Sequence, residues 1–290
     1  MIPKTDRCLA CGSGNITQYL NLGMQPLANN YHKTVRKDIE YPLAVGVCTD
    51  CFHSQLIYQP DRHLMFDNYL YVSGTSATLR KHFKELAEDS VNRLHPKSVL
   101  EIACNDGTLL SDYENLGCTI TGIDPASNLI DMCKKRGLNV IQGYWSSAFA
   151  DSVPSHDLIV ALNVVPHVID PLDFLIGMKK VMNPGGNIVI QFSQCDMLIN
   201  NEFDAIYHEH CSYFTTRSLL AICERAGLYV QRVEKLPVHS KSSRWYLSDH
   251  INREDTTLGT IYNKEIEDHI YDLSVYKKFS GQYFDTSNIF

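Results

Sequence analysis

Residues 98–125 read SVLEIACNDGTLLSDYENLGCTITGIDP. An apolar, β-branched run at 98–103 meets a polar turn, Cys104-Asn105-Asp106-Gly107; a helix-like segment follows, then a second strand at 119–123 ending on Asp124. Strand, turn, helix, strand and acid in this order make a nucleoside-binding unit. The backbone amides of the turn approach the ligand, and the acid accepts both hydroxyls of a ribose. Asp124 also stands where a helix N-cap would, with Pro125 at the first helical position, and the two roles are compatible. The glycine-rich phosphate fingerprint is missing. The turn holds one glycine, and Asp106 would repel a pyrophosphate. The ligand therefore carries a ribose and no phosphate at this position. S-adenosylmethionine meets that description and a dinucleotide does not.

Outward from this unit, strands and helices alternate. Further strands are expected at 139–142, 158–162, 187–192, 228–233 and 244–247, and helices at 109–116, 127–136, 171–182 and 218–226. Such alternation predicts an α/β fold with a parallel sheet covered on both faces. Asn183-Pro184-Gly185-Gly186 reads as a turn before the fifth strand. Upstream, Leu79, Phe83, Leu86, Val91 and Leu94 fall near helical spacing. The organisation expected is a small unit at 1–60, a helical linker at 61–97, the sheet domain at 98–249 and a helical tail at 250–290 that frays at its end.

Composition narrows the classes. A chain of 290 residues, 44% apolar and 20% charged, is an ordinary globular protein. The formal charge of −7, without a long basic run, argues against nucleic acid or an acidic membrane surface as partner. No apolar run approaches the ~18 residues of a membrane span, and the N-terminus does not read as a signal peptide. Ten cysteines, four of them in two close pairs, suit a reducing cytoplasm and one metal site. No feature demands an oligomer, and a monomer is expected.

Cys8-x-x-Cys11 and Cys48-x-x-Cys51 are matched knuckles, the usual way to present four thiolates tetrahedrally to zinc. Four sulfurs close the coordination shell, so the zinc is structural. So short a segment lacks a core of its own, and bound metal can supply on the order of 10 kcal/mol of folding free energy. The alternative is two unrelated pairs of buried thiols.

Taken together, these motifs resemble the S-adenosylmethionine-dependent sugar C-methyltransferases that act on nucleotide-linked 4-keto-deoxysugars. The resemblance runs from residue 8 to about 246. It is carried by CLACGSG (8–14), LNLGMQPLANNY (20–31), YPLAVGVCTDC (41–51), SQL (54–56), YLYVSGTS (69–76), EIACNDG (101–107), NVVPHVIDP (163–171), YHEHCSYF (207–214) and LPVH (236–239). The fold it implies is a class I methyltransferase Rossmann-like sheet with a small N-terminal zinc-binding domain. Three departures stand out. Ala103 replaces a usual glycine, Ser240-Lys241 replace a glycine pair after LPVH, and the family's further C-terminal α/β half does not follow Phe290.

The resemblance also implies roles. His210 would be the base that removes a proton beside the ketone, with Tyr207 and Glu209 orienting it or binding the sugar. His167, Tyr69 and Tyr71 would cover the sugar from the other side. Such chemistry needs a base near neutral pKa, a dipole for the enolate oxygen and a methyl donor in line. Read as an extended segment, Tyr207 and Glu209 face one way and His208 and His210 the other; if the backbone turns here, they can converge. For the cofactor, Asp124 with Pro125 would hold the ribose. Glu101 would organise the turn, and Ala103, Asn105, Asp106 and Gly107 would line the methionine portion. Asn163 would sit beside the sulfonium, with Tyr144 and Trp145 flanking the adenine. Metal binding by His208, Glu209 and His210 does not match the i, i+4 spacing of H-E-x-x-H. Two other readings stay open: a sugar or glycan O-methyltransferase, and a non-catalytic S-adenosylmethionine- or partner-binding remnant. The histidines and tyrosines would then be ordinary hydrogen-bonded or packing residues.

Overall fold

The computed structural model describes the chain except residues 1, 30, 32–33, 35–36, 237–241, 252–256 and 287–290. The end of LPVH and the Ser240-Lys241 departure lie outside the described residues. Three strands open the fold: β1 (Ile16–Pro26), β2 (Glu40–Cys48) and β3 (Ser54–Leu56). Two helices follow, α1 (His63–Phe66) and α2 (Ala77–Leu94). The alternating part then runs β4 (Ser98–Ile102), α3 (Thr108–Asn115), β5 (Thr119–Asp124), α4 (Ser127–Lys135), β6 (Val140–Gln142), β7 (His156–Leu162), α5 (Pro171–Lys180) and β8 (Met182–Phe192). It closes with α6 (Met197–Asn200), β9 (Ser212–Tyr213), α7 (Thr216–Ala226), β10 (Tyr229–Lys235), β11 (Ser243–Ser248), α8 (Thr257–Glu267) and α9 (Leu273–Thr286).

The main sheet has the order β10-β11-β8-β7-β4-β5-β6. It is mixed rather than parallel throughout. β4, β5, β6, β7 and β8 pair in parallel, whereas β11 runs antiparallel to both β8 and β10. A short connection, most of it outside the described residues, joins β10 to β11, and only an antiparallel hairpin can be closed so briefly. Order reverses between β4 and β7, and that switch point opens the crevice at the strands' carboxyl ends. Val99, Leu100 and Ile102 of β4 are buried, as a strand covered on both faces requires. The turn expected at 183–186 is absorbed into β8. Met182 already pairs with His156, and the extra residues form a bulge before Asn187 rejoins the ladder opposite Leu158.

Local signals set the helices. Ser76 caps α2 by accepting from the Leu79 amide, and Leu79, Phe83, Leu86 and Ala87 form its buried stripe. Thr215 and Ser218 form a capping box on α7, which ends at Gly227 in the left-handed region. The 61–97 stretch is not helical throughout. Residues 67–72 are irregular, and a short 3-10 turn, Ser73–Thr75, leads into α2.

The N-terminal sheet runs β1-β2-β3-β9, so its last strand comes from the far side of the chain. Ser54 pairs with Tyr213 and Gln55 with Ser212, and the Leu56 amide donates to the Cys211 carbonyl. The four paired cysteines pack into the same core as Phe214, Leu219, Ile222 and Cys223. The tail packs as well: Ile270, Tyr276 and Phe279 join Leu20, Leu43, Val45, Leu198 and Tyr213 in one cluster. Glu265 of α8 is buried, and its carboxylate accepts from the backbone and hydroxyl of Thr216 at the start of α7.

Candidate active site and zinc centre

Cys8, Cys11, Cys48 and Cys51 bring their sulfurs within 4.8 Å of one another. Cys8 and Cys51 sulfurs are 3.5 Å apart, and those of Cys11 and Cys48 3.6 Å. Sulfurs at the corners of a tetrahedron with metal bonds of ~2.3 Å lie roughly 3.8 Å apart, and a disulfide would need ~2.05 Å. The set therefore fits zinc and not two disulfides. Arg225 of α7 clasps the first knuckle by donating to the Ala10 carbonyl at 2.6 Å.

A cavity of about 980 Å³ opens at the carboxyl edge of the main sheet. Asp124 ends β5 in its wall. Each carboxylate oxygen takes one backbone amide, from Ala126 and from Asn105, both at 2.9 Å. Further lone pairs remain for ribose hydroxyls. Burial pushes the Asp124 carboxyl up to about 6, against the pull of those two amides. Glu101 also lines the cavity, is 5% exposed and leaves Oε2 without a partner. Burial, with Asp106 and Asp124 nearby, raises its pKa well above the usual carboxylate range.

Ala103, Asn105 and Asn163 line the cavity with positive φ angles of 60°, 51° and 54°. Pro125, Tyr144 and Trp145 line it too. Gly107 stands behind the wall: a Cβ there would meet Leu138 at 2.4 Å, so glycine is required for packing at φ 73°. The side chains of Asn105 and Asp106 are largely taken by the chain itself. Asn105 Oδ1 accepts from the Ser73 amide and its Nδ2 donates to the Tyr71 carbonyl, while Asp106 Oδ2 accepts from the Gly74 amide. Gly74 allows this close approach, since its Cβ would fall 2.3 Å from Asp106.

Segment 207–210 is a turn and not an extended strand. The His210 amide bonds to the Tyr207 carbonyl at 3.1 Å, and the Tyr207 hydroxyl reaches His210 Nε2 at 3.0 Å. Both side chains line the cavity. His210 Nδ1 faces the Ala205 carbonyl at 2.8 Å, which fixes the proton on Nδ1 and leaves Nε2 as acceptor. Burial lowers the His210 pKa below 6.5, and burial with the neighbouring His210 lowers His167 well below it. The two rings meet edge to face at 4.8 Å. Glu209 is 2% exposed; its carboxylate accepts from Asn29 Nδ2 at 2.8 Å and from the Tyr69 hydroxyl at 3.2 Å, with His167 Nδ1 4.0 Å away. Burial raises Glu209, and burial likewise holds Tyr69 and Tyr207 as neutral phenols. Tyr71 lies beside Tyr69 at 6.5 Å and lines the cavity. His208 turns away, against the ring of Tyr41.

The structure thus gathers Tyr69, Tyr71, His167, Tyr207 and His210 in the cavity wall, whereas Glu209 does not line the cavity but lies buried behind it, bonded to Asn29 and Tyr69. Sequence reasoning did not single out Asn29, Arg62, Phe66 or Asn128. Asn29 had a signal in the LNLGMQPLANNY motif, but not one that named a partner. Arg62 stacks on the Tyr144 ring at 4.2 Å and is the one Lys or Arg among the described residues of the wall.

A doubly covered sheet, a buried acid at the end of its second strand and an open switch-point cavity are the frame of an S-adenosylmethionine-dependent methyltransferase. Comparison with known families agrees. The methyltransferase domain family matches residues 76–233, more than half of the chain, and the chain belongs to that family. A zinc-binding domain family matches residues 8–66. The chain is 27% identical over 253 residues to the C-methyltransferase NovU of Streptomyces niveus, covering 83% of this chain and 60% of that protein. It is 22% identical over 227 residues to the mitochondrial ubiquinone biosynthesis O-methyltransferase of Arabidopsis thaliana, covering 72% and 69%. Among solved structures, the PH0226 protein of Pyrococcus horikoshii superposes with a TM-score of 0.49 at 15% identity, covering 61% of this chain and 94% of that one. No helix among the described residues is long and apolar enough to cross a membrane.

Proposed function

We propose that this methyltransferase methylates carbon, beside the ketone of a nucleotide-linked 4-keto-deoxysugar. The observation that carries the reading is the Tyr207–His210 pair in the cavity wall, with a free-base Nε2 held by a phenol donor. An oxygen acceptor needs a base but no second group for an enolate. The cofactor supplies an electrophilic methyl on a sulfonium.

His210 Nε2 takes the carbon-bound proton. Once protonated it no longer accepts from Tyr207, so the phenol turns its hydrogen to the newly charged enolate oxygen. Glu209 keeps Tyr69 in place and His167 closes the site from the β7 side. At about 980 Å³ the cavity is at the upper end of the ~300–1,000 Å³ usual for one small molecule, which suits cofactor and acceptor together. The diphosphate of the acceptor would meet Arg62. The likeness to NovU supports the carbon acceptor. Ten free cysteines suit a cytoplasmic location.

The test is incubation with S-adenosylmethionine and a panel of dTDP- and GDP-linked 4-ketosugars, read by mass spectrometry and NMR. A gain of one methyl on carbon is expected. A methyl on oxygen would replace this reading with the O-methyltransferase one.

A further inference from the structure

Residues 67–74 cross the cofactor cleft with hardly any regular structure, yet they are fixed at both ends. At one wall, the first turn of α4 holds them. The Ser127 amide donates to the Asp67 carbonyl at 3.1 Å. Asn128 then closes two bonds on one residue: Nδ2 donates to the Tyr69 carbonyl at 2.8 Å and Oδ1 accepts from the Tyr69 amide at 3.1 Å. At the other wall, Asn105 bridges two residues: Nδ2 donates to the Tyr71 carbonyl at 3.0 Å and Oδ1 accepts from the Ser73 amide at 2.9 Å.

A single carboxamide that pairs both backbone groups of a residue imitates the edge of a β-strand. It fixes position and orientation together. Tyr69 needs this, because no ladder holds its backbone and its neighbour Leu70 is 58% exposed. The Tyr69 ring lies against Phe66 at 5.7 Å, and its hydroxyl reaches Glu209. Asn128 itself does not line the cavity. Its effect on any ligand must pass through Tyr69.

We propose that Asn128 is a positioning residue of the acceptor site, fixing the Tyr69 backbone so that the phenol stands in the cavity wall against Glu209. Its kinetic consequence rests on the acceptor reading above; its structural consequence does not. Two variants of the full chain test it. Asn128→Ala removes both bonds. Asn128→Asp keeps the shape but sets a carboxylate oxygen against the Tyr69 carbonyl, so it should be the worse of the two. Hydrogen–deuterium exchange with saturating S-adenosylhomocysteine should show peptides over 67–73 exchanging about tenfold faster in both variants, with β4 and β5 unchanged. With a 4-ketosugar that the parent methylates, kcat/KM for the sugar should fall about 10–100-fold, while KM for S-adenosylmethionine stays within about threefold. Unchanged exchange in both variants overturns the proposal. So does faster exchange with parental kcat/KM for the sugar, or an equal loss for sugar and cofactor. If the parent methylates none of the sugars, the acceptor reading has failed, and the exchange rates alone decide whether Asn128 fixes Tyr69.

Discussion

The Tyr207 hydroxyl donates to Nε2 of His210 at 3.0 Å, and Nδ1–H of the same ring donates to the Ala205 carbonyl at 2.8 Å. One proton is thereby placed on Nδ1, and the basic nitrogen is turned to a phenol in the cavity wall. In D₂O, with the 4-ketosugar and S-adenosylhomocysteine but no methyl donor, the parent should exchange the proton beside the ketone. His210→Asn should lose that exchange, about 10²–10⁴-fold, and keep its cofactor affinity. Tyr207→Phe should fall less far. Parental exchange in His210→Asn would move the base to His167.

The same geometry fixes a pH dependence. Burial lowers His210 below its ordinary 6.5, so the free base survives to the acid side of that value. As pH falls through the lowered pKa, Nε2 is protonated and kcat should drop, approaching tenfold per pH unit. A pH–rate profile with its acid limb above pH 6.5 would contradict this.

Cofactor affinity should titrate separately. As the proposed ribose acid, Asp124 would accept best as a carboxylate, and burial brings its pKa to about 6. Affinity for S-adenosylmethionine should weaken as pH falls through 6. Asp124→Asn should flatten that dependence and cost about 1–3 kcal/mol at pH 8. Calorimetry between pH 5 and 8 reads both effects. Equal affinities for Asp124→Asn and parent at pH 8 would remove Asp124 from the ribose site.

Ala103 sits at φ 60°, in the left-handed region where a Cβ is strained by about 1–2 kcal/mol. Glycine relieves that strain, but its freer unfolded chain takes back about 0.4–1 kcal/mol. Ala103→Gly should therefore stabilise by up to about 1.5 kcal/mol, a rise of a few °C in Tm, with cofactor affinity equal or tighter. A lower Tm would show that the backbone relaxes around alanine.

One zinc per chain is expected by elemental analysis. Cys48→Ser should abolish it and lower the thermal midpoint of the whole protein in one transition, because the cluster packs among Phe214, Leu219 and Ile222. A separate early transition with the main sheet intact would instead mark an independent zinc unit.

Much of this was legible in the residues. The β4–β5 unit reads from local pattern alone, since hydrophobic runs, one turn and a terminal acid are set within 28 residues. The two knuckles announce their metal by spacing. What escaped depends on partners distant in sequence. Alternation along 207–210 left an extended segment and a turn both open, and the Tyr207–His210 bonds decide for the turn. β9 is two residues long and exists only because β3 lies beside it. Asn128 looks like any polar residue in a first helical turn until Tyr69 is laid against it. Residues 67–72 carry no periodicity to read, and their conformation comes from the two asparagines that hold them.

The pairing of Ser212 and Tyr213 with β3 bears on how this protein can be taken apart. A gene fragment beginning at residue 76 would encode the whole main sheet, and by sequence would look like a self-sufficient cassette. In it the Leu56 amide would be missing from the Cys211 carbonyl, and the His53 ring from the face of Phe214, which it now covers at 4.7 Å. The segment holding Tyr207 and His210 would then lose its strand partner and keep, at that end, the Cys195 amide bond to the Phe214 carbonyl. The main sheet is thus not a portable module joined to an accessory; shuffling either part into another protein would have to carry the other along.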